Sequence, residues 1–236
     1  MKKSILSVLL VALLCTVLVG CKDGNNSNKS EDKDEIVVGI QQDLDSLDPH
    51  LATAAGTKEV LFNIYEGLVK VNEQGELVPA VASEYKISED GSKYTFTLRD
   101  GVKFHNGEAV TAEDVKYSIE RNAGLLPDTE LIVSAFSVIE SVNILDPSTV
   151  EVVLSEPDTE LISYLTVAIV PKDYENISTQ PVGTGPFKFV SYKSQESLVI
   201  EKNNDYWGDK AYLNKVTFKV ITNAATAVVE LKAGTI

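Results

Sequence analysis

The 236-residue chain is 44% hydrophobic and 24% charged, an ordinary globular balance, and is long enough for one or two domains. Its formal charge of −14 argues against a nucleic-acid partner, because phosphates would be repelled. Two cysteines and two histidines exclude a disulfide-dense scaffold and offer no spacing of metal ligands.

The first segment is "MKKSILSVLLVALLCTVLVGC". Lys2 and Lys3 precede an apolar run of 15 residues, Ile5 to Val19. At ~1.5 Å per residue the run spans roughly 22 Å, short of the ~30 Å hydrocarbon core. This predicts a signal peptide over residues 1–20 rather than a transmembrane helix. The run closes on Leu18-Val19-Gly20-Cys21, which resembles the lipobox of bacterial lipoproteins, so Cys21 is the expected lipidation site. An ordinary secretory signal with a chance cysteine is the alternative. Residues 21–35 hold no large apolar residue after Cys21 and are expected to form a disordered tether.

The body begins with "IVVGI", Ile36 to Ile40, expected as a buried strand that opens onto the polar loop "QQDLDSLDPH". Val60, Leu61, Ile64, Tyr65 and Leu68 recur at helical spacing and predict a helix over Lys58 to Val69. Asn72 to Gly75 reads as a turn. Asp90-Gly91, Asp100-Gly101 and Asn106-Gly107 are three further turn signals. Between the first two, Tyr94, Phe96 and Leu98 alternate with polar residues, as in a half-buried strand. Thr111 is placed to cap a helix, with Glu113 and Asp114 in its first turn and Val115 and Ile119 on its apolar face. Ser141 to Ile144 and Thr149 to Leu154 read as strands around Asp146-Pro147. Leu161 to Val170 is apolar and expected to run from helix into strand. Phe187–Tyr192 and Ser197–Lys202 predict a hairpin. Val216 to Ile221 predicts a strand and Thr222 to Ala233 a terminal helix. Strands and helices mix without a regular βαβ rhythm, so the expected class is mixed α/β.

The chain shows no nucleophile elbow and no singled-out pair of carboxylates, so an enzyme is not expected. His105, beside Asn106-Gly107, reads as structural. "GTGP", Gly183 to Pro186, lacks the Lys-Ser/Thr of a phosphate-binding loop. The aromatic pair in "NNDYWG" is read as packing rather than gripping a ligand.

"LVPAVASEYKISEDGSKYTFTLRDGVKFHNGEAVTAEDVKYSIER" resembles the signature region of the family-5 extracellular solute-binding proteins. The resemblance continues in "SLDPH", "PVGTGPFKF" and "NNDYWG", in the family's order. It implies a type II periplasmic-binding-protein fold of two lobes around a cleft, here ending before the second lobe. A short single-lobe protein is the alternative. Residues 36–72 and 181–236 would form the incomplete first lobe, and 73–180 a subdomain inserted into it. The implied function is an extracytoplasmic lipoprotein, monomeric and without cofactor, that captures oligopeptides for the permease subunits of an ABC transporter. A nickel chelate or oligosaccharide as ligand, or a peptide-sensing role without transport, are the alternatives. Carried over residue by residue, the loop Gln42, Asp43, Leu44, Asp45 and Ser46 would contact the peptide. Either acid could meet a positive group or be an ordinary loop acid. Gly183, Thr184 and Gly185 would form the hinge. The implied location is the outer face of the cytoplasmic membrane, through the lipid on Cys21.

Overall fold

The computed structural model describes residues 34–236. Cys21, the signal segment and nearly all of the expected tether lie outside the described residues. In chain order the elements begin with β1 (Glu35–Ile40), α1 (Ala55–Leu61), β2 (Val69–Val71), β3 (Leu77–Pro79), β4 (Ala82–Ile87) and β5 (Lys93–Leu98). They continue with α2 (Ala112–Ala123), β6 (Ile139–Asp146), β7 (Thr149–Leu154), β8 (Phe187–Lys193), β9 (Ser197–Lys202), β10 (Lys215–Val220) and α3 (Ala224–Ala233). Short 3-10 turns occupy Ser134–Val138 and Leu161–Tyr164.

Two four-stranded sheets organise the chain. One has the order β1-β10-β9-β8, with β1 parallel to β10 and the other pairs antiparallel. The other, β4-β5-β7-β6, is antiparallel throughout. The second sheet arises from sequence alternation. Tyr94 and Phe96 of β5 and Val150 and Val152 of β7 point to one face and are fully buried. Helix α2 covers that face with Val115 and Ile119, both also fully buried. Each such side chain contributes about 1.5–3 kcal/mol on burial. The first sheet has its own core, in which Leu198, Ile200 and Phe218 pack on Leu44, Val60 and Ile64. Ala168 and Val170 belong to this core, while Leu68 and Val69 belong to the other. The segments 64–69 and 168–170 therefore contribute side chains to both cores.

Helix α2 starts as expected. Thr111 Oγ1 accepts from Asp114 N, and Asp114 Oδ2 accepts from Thr111 N at 2.8 Å, so two orphan donors of the first turn are satisfied. It stops at Gly124, φ 67°, where a Cβ would lie 2.7 Å from Leu131 N. Helix α3 is capped by Asn223 and ends on left-handed Gly234.

Four expectations need correction. Strand β1 is not buried: it lies at the sheet edge, with Ile36 45% exposed, because only β10 pairs with it. Glu35, expected in the tether, instead opens β1 and forms an ion pair with Lys215. The helix predicted over 58–69 is α1, which begins three residues sooner and ends at Leu61. After it the chain tightens, with Ile64 N donating to Leu61 O at 2.8 Å, and Val69 enters a strand. Ile64, Tyr65 and Leu68 are buried as the spacing requires, but from a loop. Lastly, Leu161 to Val170 forms a 3-10 turn and then no strand. Its backbone makes single bonds, such as Ile169 N to Glu66 O at 2.9 Å, instead of a ladder.

Candidate functional site

The loop after β1 is built around its acids. Asp43 accepts from Tyr192 Oη at 3.0 Å, Ser194 Oγ at 3.0 Å and Gln195 N at 2.7 Å, which ties the loop to the β8–β9 turn. Burial pushes its pKa up, but these hydrogen bonds together outweigh it and hold the carboxyl below its usual range. Asp45 accepts from Thr53 Oγ1 at 2.6 Å, Thr53 N at 2.8 Å and Ala54 N at 2.9 Å. Led by the Thr53 hydroxyl, these bonds hold it well below the carboxylate range. Ala54 has no capping side chain of its own, so Asp45 serves α1 from nine residues away. Leu44 is buried in the core, and Ser46 Oγ closes a turn with Asp48. Of the five expected contact residues, exposed Gln42 and buried Leu44 line a cavity of about 540 Å³ between α1 and the β1–β10 face.

Next comes a buried network that ties residues 48–50 to α2 and to Ala168. Asp48 accepts both ends of the Arg121 guanidinium, at 3.1 and 2.7 Å, with Asp48 almost fully buried. His50 N donates to Asp48 at 3.0 Å. The His50 ring accepts from Arg121 through Nδ1 at 3.1 Å and donates from Nε2 to Ala168 O at 2.8 Å. Burial holds this imidazole well below its ordinary pKa, so it is neutral. "SLDPH" is thus a joint: its acid reaches α2, and its histidine reaches Ala168 in the segment between β7 and β8.

A groove of about 590 Å³ lies above that joint. One wall is residues 49–50 and 52–53 with Lys58, Leu61, Phe62 and Tyr65; the other is Asn122, residues 132–134, residues 163–164 and residues 166–168. Phe62 is 69% exposed, Tyr164 47% and Ile132 38%. Single exposed apolar residues are commonplace, but three large ones converging on one concavity of this volume make it the candidate binding surface. The groove takes none of the loop residues expected from the sequence. Its first wall comes from the end of "SLDPH", from α1 and from the residues just after each, where the one signal in the sequence is Phe62, an aromatic one position off the buried face.

The segment Gly183-Thr184-Gly185 lies away from this groove and is buried. His105 N donates to Gly183 O at 2.9 Å, Gly183 N to His105 Nδ1 at 3.3 Å, and His105 Nε2 to Gly185 O at 3.0 Å. Burial pushes the His105 pKa down to about 4. Gly185 N donates to Ile64 O at 2.9 Å. A Cβ on Gly183 would stand 2.1 Å from Ile64 O, and one on Gly185 2.6 Å from Asn63 O, so close backbone approach requires both glycines. Thr184 Oγ1 is buried with no hydrogen-bond partner among the described residues. Tyr206 and Trp207 also pack. Glu66 accepts from Tyr206 Oη at 2.6 Å and Trp207 Nε1 at 2.8 Å, and the Arg99 guanidinium lies 4.4 Å over the indole.

Residues 76–236 match the family model described as "Bacterial extracellular solute-binding proteins, family 5 Middle". The chain belongs to this family. Among curated relatives, the oligopeptide-binding protein OppA of Bacillus subtilis is 30% identical over 99% of this chain and 49% of its own length. Two solved structures are similar. The periplasmic binding protein DppA of Helicobacter pylori, in complex with peptide STSA, is 33% identical with a TM-score of 0.78, over 86% of this chain and 45% of that one. NikZ of Campylobacter jejuni, in complex with Ni(L-His), is 30% identical with a TM-score of 0.77, over 86% of this chain and 42% of that one. This family-5 chain thus spans about half the length of the curated relatives it matches. Its mixed α/β architecture is that of the type II binding proteins, as the sequence predicts.

Proposed function

We propose that this chain supplies one wall of the ligand cleft of an extracytoplasmic protein that captures oligopeptides and presents them to ABC-transporter permease subunits. The groove between the α1 wall and the inserted-sheet wall carries the reading. Its volume and its mix of exposed aromatic and small polar side chains suit an extended chain of varied side chains. The peptide-bound DppA relative supports the same class. No residue is assigned a catalytic role. A nickel chelate, the ligand in the NikZ complex, is the second reading. The groove counts against it, because its one imidazole, His50, has both ring nitrogens engaged. Lipid on Cys21 would hold the protein at the outer face of the membrane. Gly183 to Gly185 would serve as the pivot of lobe closure, moving as a clamped unit with His105. Native mass spectrometry of the full-length protein purified from its own cells is the test. Released peptides support the reading; a metal chelate or sugar in their place sinks it.

A further inference from the structure

We propose that the groove selects peptides carrying a carboxylate beside an apolar side chain, and that Lys58 is the residue that reads the carboxylate. The inference rests on the groove being the peptide wall. In this chain 35 of 236 residues are Asp or Glu, yet none of them lines the groove. The one formal charge on its wall is Lys58, because His50 is neutral and both its ring nitrogens are bonded. Beneath the floor, Arg121 and Asp48 neutralise each other. Lys58 is exposed and forms no ion pair among the described residues, so its ammonium is open to a ligand's anion. Phe62 stands four residues on, so the ammonium and the exposed ring share one face of α1. An anionic group on the ligand would meet the ammonium while its apolar neighbour covers Phe62. Elsewhere the surface repels anions, so the groove wall is the place where a carboxylate is favoured over an amide.

The carboxylate has two possible sources, an acidic side chain or the peptide C-terminus. Titration calorimetry on the full-length protein separates them with three probes: Ala-Phe-Glu-Ala, Ala-Phe-Gln-Ala, and Ala-Phe-Gln-Ala amidated at its C-terminus. The expected result is a preference of about three- to tenfold for the probe that keeps the recognised carboxylate. Loss at the Glu-to-Gln step identifies a side chain, and loss on amidation identifies the terminus. In Lys58→Gln that ratio should fall to about one, Lys58→Arg should retain it and Lys58→Glu should invert it. A preference that persists unchanged in Lys58→Gln overturns the assignment of Lys58. Equal binding of all three probes to the unaltered protein overturns the charge selection and leaves the peptide reading standing. If no probe binds, the groove is not a peptide wall and both inferences fall.

Discussion

Replacing Gly183 with alanine tests whether the crossover depends on backbone contact. The new methyl would stand 2.1 Å from Ile64 O and 2.7 Å from Tyr65 Cδ1, well inside the 3.0 Å that Cβ atoms essentially never breach. Neither side can retreat freely. Ile64 O holds Gly185 N at 2.9 Å, and Gly183 holds His105 through two bonds. Overpacking costs about 1–3 kcal/mol, and one or two weakened hydrogen bonds add about 0.5–1.5 kcal/mol each. The sum is roughly 1.5–6 kcal/mol, a fall in Tm of roughly 3–24 °C for a chain of this size. Thermal and urea unfolding followed by circular dichroism would measure it. Gly56→Ala is the control, since a Cβ there meets nothing within 4 Å and the residue is helical. That variant should be neutral or slightly stabilised. A Gly183→Ala protein within about 0.5 kcal/mol of the parent would refute the close approach of the two backbones.

Acid should weaken the fold before the carboxylates titrate. His50 and His105 are held neutral in the folded chain, His105 down to about 4 against 6.5 unfolded, so the unfolded chain takes up protons that the folded chain refuses. Stability is then full above about pH 6.5 and falls toward pH 4, by up to ~1.4 kcal/mol per pH unit for each histidine. Urea midpoints at pH 7 and pH 5 report this, and His105→Gln should flatten the slope. Thr184→Val should be neutral or stabilising by up to about 1 kcal/mol, because the hydroxyl it removes has no partner; a loss above that on urea unfolding would show a bond to that hydroxyl. Cys21→Ala should release the protein from membranes or leave it unprocessed, as fractionation would show; retention on membranes after signal cleavage would contradict lipidation.

What could be read from the residues was local. The Tyr94–Leu98 alternation, the Thr111–Asp114 capping box and the β8–β9 hairpin are settled by neighbours within a few positions, and the structure shows each of them. The site depends on partners far along the chain. Asp43 finds Tyr192 at a separation of 149 residues, and Asp48 finds Arg121 at 73. Nothing local distinguishes an acid whose bonds are already filled from one open to a ligand. The helix stops at Leu61 rather than Val69 for a related reason. A helical period of buried residues does not reveal that backbone groups at Asn63 and Ile64 are needed by Phe187 and Gly185. Phe62 could then be left facing out, and the groove formed around it.

Amide hydrogen exchange on the full-length protein, with and without the ligand it carries, would locate the binding wall most directly. Ligand should slow exchange at residues 49–53, 58, 61–65, 132–134 and 163–168, the segments that carry the two walls of the groove. Slowing confined to residues 38–44, 56–57 and 59–60, around the second cavity, would place the ligand against β1 and contradict the site proposed here.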